Sequence, residues 1–357
     1  MKKLRLAIIG QGRSGRNIHG RFMKDEANIW FDVVAVVDAI EERRNRAKEE
    51  YPGCEVFADY KELFGRTDID LVTNATYSDN HYSVTKDLLQ HGFNVVVEKP
   101  FARSYYECND LINTAKENNV TLAVFQQTFF APHYLKAVEV LHSGIIGEVK
   151  QASIRYNGLS RRWDWQTLQH RVAGSLYNTG PHPVGMALGF LDLSDDARVE
   201  YTKLGSTGLT AGDADDYAKL ILTAPGKPVV DLEISSMDAF NDYNVKLQGT
   251  LGTYKANTVK YEMKYIVPGE NPEHDPIADA ISDEEGMPTF CKEELITHTE
   301  EGTFTGSAFN EAVRAFYEMM YKKLTDGTPL TVTPEMAAKI IQVIETAHAE
   351  NPLPKQF

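Results

Sequence analysis

The stretch Leu4–Gly15, L-R-L-A-I-I-G-Q-G-R-S-G, has the pattern of a short apolar strand that runs into a glycine-rich turn. Its glycines, Gly10, Gly12 and Gly15, have the G-x-G-x-x-G spacing of a dinucleotide-binding loop. The first glycine permits the tight turn, the second lets the backbone approach a pyrophosphate, and the third lets the next helix pack on the sheet. The stretch therefore predicts the strand, loop and helix that open a nucleotide-binding α/β domain.

An acidic residue at the end of the next strand strengthens this interpretation. A helix predicted over 13–23 would direct its positive end, together with Arg13 and Ser14, at the cofactor phosphates. The predicted strand Phe31–Val37 follows, and Asp38 stands at its end, 23 residues after the last glycine of the loop. An aspartate there can accept both ribose hydroxyl groups of an adenosine. The alternative is an ordinary strand end with a solvated carboxylate.

The residues that follow Asp38 indicate which cofactor binds. Arg43 and Arg44 lie close enough in sequence to hold the 2′-phosphate of NADP, but Asp38 would repel that phosphate. We therefore expect NAD as the cofactor, with NADP as the weaker ligand.

Composition favours a globular protein without a nucleic-acid or membrane partner. The chain has 357 residues, enough for two domains, and 42% of them are hydrophobic. Its net charge of −14 disfavours DNA, and no apolar run approaches the ~20 residues of a membrane helix. The first strand is predicted to begin almost at Met1, so we expect no signal peptide. Cys54, Cys108 and Cys291 have neither metal nor disulfide spacing, which predicts a cytoplasmic location and no metal site.

Strands and helices alternate up to residue 126. The helices are predicted over 41–50, 59–64, 80–90 and 104–117, and the strands over 69–76, 94–98 and 120–126. This alternation predicts a Rossmann domain over residues 1–126, with a doubly wound parallel sheet. Because ligands bind beyond the carboxyl ends of such strands, Gly10, Asp38, Thr76 and Lys99 should share one rim.

Longer strands with fewer helices follow from about Pro132. The strands are predicted over 149–156, 198–204, 217–223, 229–236, 243–249 and 259–266, and the helices over 132–142, 180–191, 309–324 and 334–349. This pattern predicts an α+β domain over 127–357 with an open, mostly antiparallel sheet. The polar, acidic stretch 268–303 predicts a long surface excursion.

Two short motifs offer candidate catalytic groups. Lys99, in Glu98-Lys99-Pro100, follows an apolar strand at the cofactor rim, where an ammonium could steady an oxygen as it becomes a carbonyl. The alternative is a structural ion pair with Glu98. His182 is a natural proton acceptor at the start of a helix, and Asn178 could orient it or hold a substrate hydroxyl. The alternative for His182 is a histidine satisfied within a helix cap.

A predicted loop and an acidic run complete the candidates. In the loop Ser160–Gln166, Trp163 or Trp165 could stack on a sugar ring while Arg161 or Arg162 holds its polar rim. The tryptophans could equally seal a domain interface. The acidic residues Asp213, Asp215 and Asp216 suggest a turn, since no third ligand type accompanies them.

Several motifs together identify a family resemblance over essentially the whole chain. The motifs are the glycine loop, the Asp38 strand end, N-H-Y at 80–82, V-V-V-E-K-P at 95–100, H-S-G-I-I-G-E-V at 142–149 and L-Q-G-T-L-G-T at 247–253. With these motifs the sequence resembles the Gfo/Idh/MocA oxidoreductases. The resemblance implies hydride transfer between a nicotinamide and a carbinol of a sugar, inositol or similar polyol. It also implies a sheet face that mediates oligomers, a catalytic lysine at Lys99 and a catalytic histidine at His182.

The chain departs from the family pattern at three places. Asn178 stands where many members have aspartate, and an amide cannot act as an acid or a base. Tyr77 replaces the usual proline after Thr76. Thr128 and Phe129 replace two arginines found in many relatives, beside Gln126, which we assign to the substrate site.

These observations predict an NAD-dependent dehydrogenase that acts on a secondary hydroxyl of a sugar, glycoside or cyclitol, as a homodimer or homotetramer. Thr76, Glu98 and Lys99 are assigned to the cofactor site with the glycine loop and Asp38. One alternative is an enzyme that cleaves glycosides by transient oxidation at C3 with bound NAD. Another is a non-catalytic sensor that binds the nucleotide.

Overall fold

The computed structural model describes residues 2–357, which form two large sheets and a two-stranded ribbon. The first sheet has six parallel strands in the order β3-β2-β1-β4-β5-β6. Its strands are β1 (Leu4–Ile9), β2 (Phe31–Val37), β3 (Glu55–Phe57), β4 (Leu71–Asn74), β5 (Val95–Val97) and β6 (Leu122–Val124). The strand order reverses between β1 and β4, which opens a ligand crevice beyond their carboxyl ends.

The second sheet has eight strands in the order β16-β13-β12-β11-β7-β10-β9-β8. Only the β7–β10 pair is parallel, so the sheet is mostly antiparallel. A two-stranded ribbon, β14 with β15, lies apart from it. The ten strands are β7 (Val149–Asn157), β8 (Arg198–Gly205), β9 (Tyr217–Thr223), β10 (Val229–Ser235), β11 (Val245–Gly249), β12 (Gly252–Ala256), β13 (Lys260–Tyr265), β14 (Ile281–Ser282), β15 (Pro288–Thr289) and β16 (His298–Thr303).

Three of the long helices begin at residues whose side chains cap them. Ser104, Ser307 and Thr333 each accept a backbone N–H of the first turn, and Pro334 occupies the first helical position after Thr333. The α-helices are α1 (Gly20–Met23), α2 (Glu41–Glu50), α3 (His81–Gln90), α4 (Tyr105–Glu117), α5 (Pro132–Ser143), α6 (Ser175–Asn178), α7 (Pro181–Phe190), α8 (Ala308–Asp326) and α9 (Pro334–Glu350). Among the described residues no helix is long and apolar enough to cross a bilayer.

The two sheets and their helices pack into continuous cores. Helix α8, from the end of the chain, lays Phe316 and Tyr317 against Phe31 and Phe125 of the first sheet. Helices α5, α7 and α9 cover one face of the second sheet. A Rossmann-type sheet followed by a mostly antiparallel sheet confirms the predicted fold class.

The structure differs from the sequence prediction in three local respects. The first helix spans the predicted residues 13–23, but a π-helical turn over Gly15–His19 interrupts it before α1. The strand β12 was not anticipated, although the predicted 243–249 strand pairs with it. The predicted surface excursion 268–303 ends in β16, which pairs with β13 at the sheet edge and so is not wholly irregular.

Candidate active site

The glycine loop has the shape that a dinucleotide needs. Gly10 has a positive φ of 90°, and a side chain there would strike the carbonyl of Ala75. A side chain at Gly15 would strike the carbonyl oxygen of Gly10, so the helix can approach the strand only without one. Gly12 faces open space, which leaves its backbone accessible to a pyrophosphate. Arg13 is exposed beside it, and Ser14 immediately precedes the π-turn.

Asp38 closes the adenosine end of this loop. One carboxylate oxygen accepts the N–H of Gln11 over 2.7 Å, and the other accepts the N–H of Ile40 over 2.9 Å. Arg43 reaches the first oxygen at 3.4 Å, and Arg44 donates to the Asp38 carbonyl. These bonds hold a nearly buried carboxylate at the rim, where a ribose would lie.

The loop also contains an unsatisfied polar group that fits a bound nucleotide. Both amide atoms of the Gln11 side chain are buried and have no partner among residues 2–357. Buried polar atoms normally have a hydrogen-bond partner, so a ligand that supplies one is favoured here. The open backbone at Gly12, the Asp38 carboxylate and this amide together fit a dinucleotide cofactor.

Thr76 and Gln126 each follow a strand of the first sheet, Thr76 after β4 and Gln126 after β6. Thr76 donates its hydroxyl to Asn74 over 2.8 Å at the end of β4. Gln126 follows β6, is 2% exposed, and has a side-chain oxygen without a partner among residues 2–357. Because Gln126 is almost fully buried, a substrate could reach it only through a movement that uncovers this oxygen.

Glu98 belongs to a buried polar network. Its Oε1 lies 3.1 Å from Nε2 of His19, and Nδ1 of His19 lies 2.7 Å from the hydroxyl of Tyr317 on α8. Its Oε2 accepts the backbone N–H of Lys99 over 3.0 Å. Burial opposes ionisation of Glu98, but the His19 hydrogen bond and the nearby positive charges bring its pKa down to about 2. The carboxylate therefore anchors the backbone of Lys99 instead of pairing with its ammonium.

The ammonium of Lys99 reaches across to the second domain. Its Nζ donates to the backbone carbonyl of Asn178 over 2.6 Å. Protein atoms surround the ammonium, and this burial lowers the pKa of Lys99, although the charge of Glu98 opposes the effect. The predicted alternative, a simple ion pair between Lys99 and Glu98, is not what the side chains form.

His182 lies in the first turn of α7, close enough to Lys99 for their charges to interact. Its Nδ1 is 2.6 Å from the hydroxyl of Thr128, and its Nε2 has no hydrogen-bond partner among residues 2–357. Burial, together with the positive charge of Lys99, lowers the pKa of His182 to about 3. The imidazole is therefore neutral at pH 7 and able to accept a proton.

Asn178 ends the short helix α6 in the same region. Its Oδ1 accepts the Nε2 of Gln166 over 2.7 Å, and Gln166 in turn contacts Arg162 through its Oε1. Arg162 also donates to Asp164 over 2.8 Å. The structure thus brings Lys99, Asn178 and Arg162 into one connected cluster.

The two tryptophans of the predicted loop have different surroundings. Trp165 meets Tyr77 edge-on with ring centroids 4.9 Å apart, and Arg171 lies over the same tyrosine ring. Trp165 therefore seals the junction between the domains, as one of the two sequence interpretations stated. Trp163 is 80% exposed and remains available at the surface, as does Arg161.

The acidic run is structural. Asp215 accepts the N–H of Leu176 and so fixes the start of α6, while Asp213 and Asp216 accept other backbone N–H groups. No cluster of metal-ligating side chains occurs among residues 2–357.

Sequence reasoning missed His19, Tyr317 and Gln166, and it gave Thr128 no role in the site. The only local signal for His19 was its position four residues after Gly15, which places the two residues on the same side of the first helix. The sequence around Tyr317 and around Gln166 contained no local signal of a role in the site.

Comparison with known proteins agrees with this geometry. Residues 4–126 match a model described as an oxidoreductase family with an NAD-binding Rossmann fold, and residues 134–255 match the GFO/IDH/MocA C-terminal domain. A solved NAD-binding protein from Listeria innocua superposes with a TM-score of 0.77 at 20% identity, covering 99% of this chain and 97% of that one.

Three curated relatives show how varied similar proteins are. An uncharacterized oxidoreductase of Schizosaccharomyces pombe is 30% identical over 53% of this chain, and the match spans only 52% of its own length. A 2,7-anhydro-N-acetylneuraminate hydratase of Mediterraneibacter gnavus is 26% identical over 71% of this chain and 67% of that protein. The NADP-linked scyllo-inositol 2-dehydrogenase of Bacillus subtilis is 22% identical over 96% of this chain and 92% of that enzyme.

The two family models together extend over most of the chain. This chain belongs to the GFO/IDH/MocA family of oxidoreductases.

Proposed function

We propose that this protein is an NAD-dependent dehydrogenase that interconverts a secondary hydroxyl and a ketone on a sugar, glycoside or cyclitol. The observation that carries the proposal is the position of Lys99, which ends β5 on the cofactor rim and bonds Asn178 of the facing domain. His182 lies beside it with a neutral imidazole. Lys99 and His182 can therefore contact the same substrate oxygen from two sides.

The roles of the two groups follow from their chemistry. NAD, when bound, supplies the carbon that accepts or returns the hydride. Lys99 donates a hydrogen bond to the reacting oxygen and polarises it, and His182 accepts its proton. His182 is in its neutral form at pH 7 and therefore has a ring nitrogen able to take that proton as the hydride leaves.

NAD is proposed over NADP because the Asp38 carboxylate lies where a 2′-phosphate would come, although Arg43 and Arg44 stand close by. We also propose a cytoplasmic location, which the three free cysteines support.

The test is a panel of sugars, glycosides and cyclitols incubated with NAD, followed by absorbance at the NADH band. We expect NADH to accumulate with at least one member and not with the Lys99→Met variant. Conversion of substrate without net NADH would favour transient oxidation, a chemistry compatible with a hydratase among the relatives. Tight NAD binding without any conversion of the panel would contradict the dehydrogenase and favour the sensor.

A further inference from the structure

A chain of three side chains fixes the orientation of the Asn178 amide. Arg162 contacts Oε1 of Gln166, and Gln166 donates its Nε2 to Oδ1 of Asn178. A guanidinium has donors only, so the oxygen of Gln166 must face Arg162 and its NH2 group must face Asn178. Asn178 therefore turns its oxygen to Gln166, and its own NH2 group is left without a partner among residues 2–357.

With this orientation, residue 178 offers a hydrogen-bond donor to a ligand, where an aspartate would offer an acceptor. An aspartate accepts hydrogen bonds and suits a substrate hydroxyl that donates, whereas the Asn178 amide nitrogen can only donate. Lys99 is also a donor, and only one of its hydrogens is taken by the Asn178 carbonyl. The Asn178 amide nitrogen and the Lys99 ammonium are therefore two neighbouring donors that a ligand with acceptor oxygens could bind.

Two acids near this cluster, Glu98 and Asp164, already have both carboxylate oxygens bonded by the protein. Both oxygens of Glu98 are bonded, to His19 and to the Lys99 backbone. Both oxygens of Asp164 are bonded, to Arg162 and to the Gln166 backbone. A third acid, Asp79, pairs with Arg171 through Oδ2, while its Oδ1 is buried without a partner among residues 2–357.

Among the cations near this cluster, Arg162 is paired with Asp164, whereas the ammonium of Lys99 bonds only a backbone carbonyl. Arg13 and Arg162 both lie close enough to act electrostatically on Lys99. An ammonium without an acidic partner attracts a ligand of opposite charge.

We propose that the substrate is a sugar acid, a sugar or cyclitol whose carboxylate accepts from the Asn178 amide and faces Lys99. The inference rests on the proposed function for the identity of the site and adds the class of substrate. A carboxylate fits better than a phosphate ester, because one amide donor and one ammonium match a single charge on two oxygens. Arg162 and Gln166 are positioning residues that hold the amide in place.

The test measures binding to the protein saturated with NADH, by calorimetry, with matched ligands. The ligands are D-glucuronate and D-galacturonate, the corresponding neutral hexoses, and glucose 6-phosphate. We expect at least one hexuronate to bind ten times more tightly than its neutral hexose. Asn178→Asp should reverse this preference by repelling the carboxylate, and Asn45→Asp, which adds the same charge on exposed α2, should not.

The Gln166→Leu variant tests separately whether the contacts from Arg162 through Gln166 orient the Asn178 amide. Without Gln166 the Asn178 amide can rotate, so we expect the preference for hexuronate to shrink while NADH affinity stays the same. Equal binding of hexose and hexuronate, tighter binding of the phosphate ester, or no binding of any hexuronate would overturn the sugar-acid proposal. Hexuronate binding without hydride transfer would instead leave this inference standing and contradict the dehydrogenase.

Discussion

Lys99 and Asn178 join the two domains of this protein through one hydrogen bond of 2.6 Å between Nζ and a backbone carbonyl. The carbonyl belongs to α6, whose start is fixed by the bond between Asp215 and the Leu176 N–H. The ammonium is therefore positioned by the fold of both domains, and the cleft is complete only when they are docked.

The first prediction concerns Lys99 itself. Lys99→Met should lower kcat by roughly 10²–10⁴, because the reacting oxygen loses its polarising donor. NAD affinity should stay within about twofold, since the ammonium bonds the second domain and not the glycine loop. Steady-state kinetics and NAD titration measure both, with the exposed Lys116→Met as control. Full activity of Lys99→Met would remove the residue from the mechanism.

The second prediction concerns the contact between Thr128 and His182. The 2.6 Å bond to Nδ1 orients the ring, so that Nε2 is the nitrogen that can take the proton. His182→Ala should lower kcat by roughly 10²–10⁴, and Thr128→Val by about tenfold through lost orientation. Thr128→Ser should restore most of the rate, because it keeps the hydroxyl. Equal rates for the valine and serine variants would show that the hydroxyl is unimportant.

The third prediction concerns stability in acid. Burial without a partner lowers the pKa of His133 to about 4. The unfolded chain therefore binds a proton below its ordinary pKa of 6.5 while the folded chain does not, so stability falls as pH drops from 6.5 to 4. The loss is about 1.4 kcal/mol per pH unit.

The melting temperature of the His133→Leu variant should therefore decrease less between pH 7 and pH 5 than that of the unmodified protein. Calorimetry at the two pH values measures both decreases. The exposed His274→Leu serves as control. An identical decrease in all three proteins would show that His133 titrates normally in the folded state.

The fourth prediction concerns the cofactor. The Asp38 carboxylate should make NAD bind more tightly than NADP through repulsion of the 2′-phosphate. Asp38→Asn should change the ratio of the two dissociation constants toward NADP by about tenfold, or ~1.4 kcal/mol. Calorimetric titration of both cofactors checks this, with the exposed Asp32→Asn as control. Tighter NADP binding by the unmodified protein would instead assign the phosphate to Arg43 or Arg44.

The fifth prediction concerns assembly. Helices cover one face of the second sheet, and the other carries paired charges, among them Lys219 with Asp231 and Glu233. We expect a homodimer or homotetramer that buries this face. Lys219→Glu leaves three acids together and should shift the protein toward monomer in light scattering. A monomeric unmodified protein at micromolar concentration would contradict the prediction.

The sequence alone determined the features that depend on local pattern. The glycine spacing of Gly10 to Gly15, the alternation of strands and helices, and the longer strands after Pro132 each restrict the backbone within a few residues. They predicted both sheets, and they placed Asp38, Thr76 and Lys99 at strand ends, because parallel strands end at a common rim.

Only the tertiary structure decided which side chains meet. Thr128 and His182 are 54 residues apart, Lys99 and Asn178 are 79 apart, and His19 and Tyr317 are 298 apart. A hydrogen bond between distant residues leaves no periodic trace in sequence, because its geometry depends on how whole elements pack. For the same reason the sequence could not predict that Asn178 offers its amide nitrogen as a donor, because this depends on its contact with Gln166 and on the contact of Gln166 with Arg162.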